Sequence, residues 1–169
     1  IQALVRALLR GQNGERPTPA ALLARINREL VHRIPDNAFV TMFWAEYDAR
    51  SRLLRWCNAG HCPPLLLADR RETWLAASGV PVGVMDRVDY LDQEVGLPEG
   101  SVLVAYTDGV SEAERADGEA FGEERLKEIC RSHAAGGPGL LVERIVEAVE
   151  EWSAGTEQGD DLTLVVLET

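Results

Sequence analysis

Lysine is almost missing from this chain. Of its seventeen basic residues only Lys127 is a lysine, and the others are arginines. That scarcity removes P-loop chemistry, Schiff-base chemistry and a lysine general base, unless Lys127 itself serves. Cysteine is scarce too: Cys57, Cys62 and Cys130 are an odd number with no CxxC pair. They read as buried thiols of a reducing compartment, not as a disulfide framework. No run of eighteen apolar residues occurs, so no transmembrane helix is expected. The opening "IQALVRALLR" lacks the cationic leader and cleavage site of a signal peptide. Positive charge is in deficit, at a net −11, which argues against nucleic acid or an anionic membrane as partner. A cytoplasmic domain with no nucleic-acid partner and no membrane insertion is expected.

What is present suffices for a core. With 169 residues, 46% of them apolar, one domain over residues 1–169 is the expected count. Ile1, Leu4, Val5 and Leu8 follow helical spacing. That helix starts amphipathic and uncapped, as though the chain were cut into upstream of its true start. Thr18 reads as the N-cap of a second helix with Pro19 in its first turn and a stripe of Leu22, Leu23, Ile26 and Leu30. Residues 1–34 thus form a helical pair, and residues 39–169 the remaining core.

From residue 39 the period changes to two. "FVTMFWAEY", turn "DARS" and "RLLRWCNA" predict a hairpin; "PLLLA", turn "DRRE" and "TWLAA" predict another strand pair. "DYLDQEV" alternates, and "VLVAY" is the continuous apolar run of a strand covered on both faces. Helices are predicted over 123–133 and 139–152, and "LTLVVLE" as a last buried strand. Helices, antiparallel strands, then helices and a strand describe an α+β layered domain.

Two acidic sites stand flush against apolar strands. Asp108 follows "VLVAY", and Asp160 with Asp161 precedes the last strand. If those strands are antiparallel neighbours, Asp108 and Asp160 meet at one sheet edge. Asp-Gly pairs form turns, because the carboxylate bonds backbone ahead of it and glycine supplies positive φ. Hard cations such as Mg²⁺ and Mn²⁺ take oxygen ligands, and Mg²⁺ often uses only one or two carboxylates plus water. Both readings stand on the residues alone.

The ordered series "NAGHCPPLLL" (58–67), "GVPVGV" (79–84), "YTDGVSEA" (106–113), "GEAFGEERL" (118–126) and "DDLTLVV" (160–166) resembles the SpoIIE-type branch of the PPM, or protein phosphatase 2C-like, serine/threonine phosphatases. The resemblance implies an αββα sandwich of two antiparallel sheets flanked by helices, here N-terminally incomplete. It implies phosphoserine or phosphothreonine hydrolysis by water activated between two Mn²⁺ or Mg²⁺ ions, with no protein nucleophile. Asp108 and Asp160 match metal ligands of that family. Gly109 and Asp161 are implied beside them, Asp161 either positioning a metal-bound water or capping the strand start. Gly79 and Gly83 match a loop that responds to the N-terminal helices, although both glycines equally suit simple turns.

The resemblance further implies a phosphorylated STAS-type anti-sigma-factor antagonist as substrate and a homodimer contact through the N-terminal helices. The family's Gly-Asp-Val/Ile-x-Gly motif, whose aspartate bridges both metals, does not occur in the chain. The fragment by itself is therefore expected to bind metal poorly and hydrolyse little. A catalytically inactive binding or scaffold module of the same fold is the rival reading.

Two other phosphatase chemistries fail. A cysteine-dependent loop from Cys62 would need arginine where Ala68 stands. The haloacid-dehalogenase pattern needs a DxDx(T/V) nucleophile near the start, which is absent.

Overall fold

A computed structural model of the chain describes residues 5, 17–35, 37–156 and 159–169. In chain order its elements are α1 (Pro19–Leu30), β1 (Met42–Asp48), β2 (Leu53–Ala59), β3 (Leu65–Ala68), β4 (Arg71–Trp74), β5 (Gln93–Gly96), β6 (Val102–Tyr106), α2 (Asp108–Ser111), α3 (Gly122–His133), α4 (Pro138–Trp152) and β7 (Leu164–Glu168). The helix expected over "IQALVRALLR" lies outside the described residues except for Val5, which is helical. The chain divides into two compact units, residues 1–61 with 77–96 and residues 62–76 with 97–169.

In the first unit, α1 begins where its sequence predicts. Thr18 Oγ1 accepts the Ala21 N–H at 3.3 Å, and Pro19 occupies the first turn. Asp92 adds a second cap from far along the chain, its Oδ1 accepting the Ala20 N–H at 2.7 Å. Leu22, Leu23, Ile26 and Leu30 are buried with Cys57, Ala59, Val82 and Tyr90, and Val5 packs against that cluster. The sheet has the order β1-β2-β5, antiparallel throughout, with β1 and β2 paired from Met42–Ala59 to Asp48–Leu53. The loop after β2 is closed by Asn58. Its side chain accepts the His61 N–H at 2.8 Å and donates to the His61 carbonyl at 3.1 Å. His61 is thus held as a loop residue, with Nδ1 3.2 Å from Thr41 Oγ1.

Within the same unit the 79–92 segment is latched to α1 by a buried side chain. Asn27, 1% exposed, accepts the Gly83 N–H at 2.8 Å and donates to the Met85 carbonyl at 2.8 Å. Both hydrogen-bonding ends of the amide are used, which is what makes its burial tolerable.

The second unit carries a four-stranded antiparallel sheet, β4-β3-β6-β7. Val102, Val104 and Tyr106 of β6 pack with Leu126 and Cys130 of α3 and with Leu141, Ile145 and Val149 of α4. Trp152, at the end of α4, receives the Arg125 and Arg115 guanidiniums at 3.8 and 4.6 Å from its ring centroid. Its indole N–H donates to the Glu119 carbonyl at 3.0 Å, so the segment between α2 and α3 is tied to α4.

Four elements differ from expectation. β4 starts at Arg71, inside the segment read as a turn, because Asp69 and Arg70 both take positive φ (50° and 62°) and close the hairpin in two residues. Strand β5 starts only at Gln93, since Tyr90 and Asp92 are spent on the core and on capping α1. The four-residue α2 had no expectation attached to it. β7 is not a buried strand. Among the described residues it pairs with β6 alone, and Val165 and Leu167 are exposed.

Candidate metal centre

β6 and β7 are antiparallel neighbours, with Tyr106 opposite Leu164. The end of one and the beginning of the other therefore share one end of the sheet. Beyond that last pair the two chains remain stitched. The Thr107 N–H donates to the Thr163 carbonyl at 3.1 Å, and the Thr163 N–H donates to Thr107 Oγ1 at 2.9 Å. The same hydroxyl donates to the Asp161 carbonyl at 2.9 Å. One threonine side chain thus locks both backbones at the point where the acids begin.

Asp108 opens α2, whose Val110 is fully buried and anchors the turn. Asp108 Oδ1 accepts the Gly109 N–H at 3.0 Å, and Asp160 Oδ1 accepts the Asp161 N–H at 2.7 Å. Each carboxylate is therefore oriented by backbone beside it. The closest approach falls at Gly109, where an added Cβ would lie 2.6 Å from the Asp161 oxygen and 3.2 Å from the Asp160 oxygen. No side chain fits there, so the glycine is what lets the two acidic segments touch. The structure brings Asp108, Gly109, Asp160 and Asp161 together, with all three aspartates exposed.

Gly79 and Gly83 belong to the first unit. A Cβ at Gly79 would lie 2.8 Å from the Tyr90 ring. At Gly83, φ is +93°, and a Cβ would lie 2.5 Å from Ile34 Cδ1. The Tyr90 ring leaves no room for a side chain at Gly79, whereas at Gly83 the positive φ is the requirement, since the Ile34 methyl can move aside.

Cys62 stands within electrostatic reach of the centre. Burial pushes its thiol up, and the charges of Asp108, Glu112 and Glu123 push it further. Tyr106 is buried, and its hydroxyl donates to Glu123 Oε1 at 3.2 Å; burial, then the Glu123 charge, raise that hydroxyl well above the ordinary range. Thr107 has no expected role in the sequence pattern, and Cys62 figures there only as a nucleophile that fails for want of an arginine at Ala68. The threonine in "YTDG" was the available signal, since a β-branched hydroxyl at a strand end can bond backbone on two sides.

The donor set is all oxygen, which suits Mg²⁺ or Mn²⁺ and disfavours softer metals. Two aspartates with water complete such a site only in its sparser form. Among the described residues no three of His, Cys, Asp and Glu gather into a fuller cage. A cavity of about 730 Å³ opens beside the acids, with Gly109 and Asp160 in its wall.

The sequence model of the family described as Stage II sporulation protein E (SpoIIE) matches residues 1–169. The chain is similar to the phosphoserine phosphatase RsbU of Bacillus subtilis, at 26% identity over 151 residues, covering 88% of this chain and 44% of that protein. Among solved structures it is similar to the SiaA-PP2C domain of Pseudomonas aeruginosa, with TM-score 0.83 and 23% identity, covering 99% of this chain and 67% of that one. It is also similar to the PP2C phosphatase domain of SpoIIE from Bacillus subtilis, solved with a fragment of its regulatory domain. There the TM-score is 0.79 and identity 20%, with 99% of this chain and 48% of that one covered. The chain spans less than half the length of RsbU. These likenesses show the fold to be that of PP2C domains, two antiparallel sheets with helices.

Proposed function

The chain belongs to the SpoIIE family, and from that premise we propose that it forms the catalytic part of a metal-dependent phosphoserine/phosphothreonine protein phosphatase. The observation that carries this reading is the backbone contact between Gly109 and Asp160–Asp161, which holds Asp108 and Asp160 at one sheet end. The similarity to a protein named phosphoserine phosphatase supports it.

In this reading Asp108 and Asp160 hold Mn²⁺ or Mg²⁺, two ions in the intact domain. A bound cation of this kind lowers the pKa of water and polarises a phosphoryl oxygen. The protein's share is rigidity. Thr107 fixes both acidic segments, Gly109 admits their contact, and the Asp108 and Asp160 carboxylates are pre-oriented by the amides that follow them. We assign to Asp161, exposed at the same sheet end, the orientation of a metal-bound water. The substrate we assign is the phosphoserine of a STAS-type anti-sigma-factor antagonist, with Gly79 and Gly83 in a regulatory loop and a homodimer contact through the N-terminal helices.

A catalytically inactive scaffold is the second reading, favoured by the lack of a three-residue cage among the described residues. The full-length protein decides between them. Mn²⁺-dependent hydrolysis of p-nitrophenyl phosphate and of phosphoserine peptides is expected. Asp108→Asn and Asp160→Asn should each reduce it by at least about a hundredfold, more than loss of an outer partner of a metal site costs. Far-UV circular dichroism should stay unchanged. Retained turnover in both variants removes the metal assignment, and absence of any turnover in the wild type favours the scaffold.

A further inference from the structure

The cavity beside the acids has a composition of its own. Val146 and Val149 of α4 and Leu162 form its apolar wall, and Glu112, Glu114 and Glu150 stand around it. Among the described residues no lysine, arginine or histidine lines it. Elsewhere in the same unit Glu72, Asp117, Glu119, Glu124, Glu128 and Glu147 each pair with arginine or lysine. Glu112, Glu114 and Glu150 form no such ion pair among the described residues. In an arginine-containing chain, these three glutamates carry no cationic partner among the described residues.

The walls are preformed. The Thr156 hydroxyl is shared between the Glu114 and Ser153 carbonyls, at 2.8 and 2.7 Å, and Ser153 Oγ donates to the Val149 carbonyl at 2.9 Å. Glu114 is bridged to Ala120, and Arg115 next to it lies on the Trp152 ring. A concave space with an apolar wall and a few convergent charges is the usual form of a recognition site.

We propose that this groove receives the side chain of a lysine or arginine that flanks the phosphorylated residue of a protein substrate. The apolar wall fits the aliphatic stem of such a residue, and the glutamates fit its cationic head. Gly109 and Asp160 form part of the same wall, so the groove is continuous with the acidic centre. An extended peptide covers about 3.3–3.6 Å per residue, which places the cationic residue within about three positions of the phosphoserine. This inference rests on the phosphatase reading for the position of the phosphoserine, but the preference for positive charge rests on the groove alone.

The test uses the full-length protein and two labelled phosphoserine peptides, one with arginine within three positions of the phosphoserine and one with glutamine there. Fluorescence anisotropy without divalent cation measures binding apart from turnover. The arginine peptide should bind about three- to thirtyfold tighter, the worth of two or three partly exposed ion pairs. The Glu114→Gln, Glu150→Gln double variant should lose that preference while hydrolysing p-nitrophenyl phosphate at the wild-type rate. Both side chains are on the surface, so the variant tests recognition without disturbing a core. Equal binding of the two peptides overturns the proposal, as happens if the groove holds only a metal ion. A preference that survives in the double variant overturns it as well. A preserved preference in a protein without phosphatase activity sinks the catalytic reading and leaves the groove assignment standing.

Discussion

A methyl group added at Gly109 would lie 2.6 Å from the Asp161 carbonyl oxygen and 2.8 Å from its carbon. Backbone cannot yield as a flexible side chain can, so Gly109→Ala must separate the acidic segments or displace α2. The expected cost is roughly 1–3 kcal/mol of stability, the range for overpacking a fitted site. Mn²⁺-dependent activity should fall by more than the folded fraction does. Urea titration and initial-rate measurements on the same preparation check this, and unchanged values in both contradict the contact. At this scale the sequence was partly legible. Asp108 and Asp160 stood out because each is set against an apolar strand, whereas Thr107 did not, because its role depends on Asp161 and Thr163 more than fifty positions away. The cysteines followed expectation in part. Cys57 and Cys130 are buried, and burial pushes Cys130 up to about 12, while Cys62 is only half-buried.

Among the elements, α1 and its latch illustrate what a linear pattern can and cannot carry. The helix was legible from Thr18, Pro19 and the leucine stripe. The polar residue inside that stripe was not, because Asn27 takes its partners from Gly83 and Met85. Replacing Asn27 with alanine removes the partner of the Gly83 N–H and of the Met85 carbonyl, both part-buried hydrogen bonds, a loss of roughly 1–2 kcal/mol. A drop in the urea midpoint is expected, with faster amide exchange at Gly83; equal midpoints and equal exchange would show the latch to be idle. Two strand starts depart from the linear pattern. Before β4 only Asp69 and Arg70 of the turn-prone Asp69–Glu72 stretch make the turn, and in β5 the alternation over 89–95 is interrupted because Tyr90 and Asp92 are committed to the core and to capping α1. β7 was misread because "LTLVVLE" is equally apolar whether its second face is covered or not.

For the molecule as a whole, α1 matters to assembly. Its apolar stripe of Leu22, Leu23, Ile26 and Leu30 is at most 1% exposed and is consumed by the first unit's core. The homodimer contact proposed through the helical pair therefore cannot draw on that stripe. If the full-length protein forms the proposed dimer through "IQALVRALLR", changing both Leu4 and Leu8 to Asp is expected to lower its mass to that of a monomer, which light scattering coupled to size-exclusion chromatography reads directly. A mass and an activity equal to wild type would exclude that contact. The α+β class and the order of the longer elements from α1 onward were legible because motifs and periodicity agreed. The division into two units was not, since residues 62–76 leave one compact unit for the other between two apolar segments of similar composition.

Trp152 carries one more consequence. Its ring lies under Arg125 and Arg115, and its N–H is engaged by Glu119. Any excursion of the 115–125 stretch away from α4 would wet the indole and redden its emission, so a chain in which Trp44, Trp56 and Trp74 are replaced by phenylalanine carries an optical gauge of that contact.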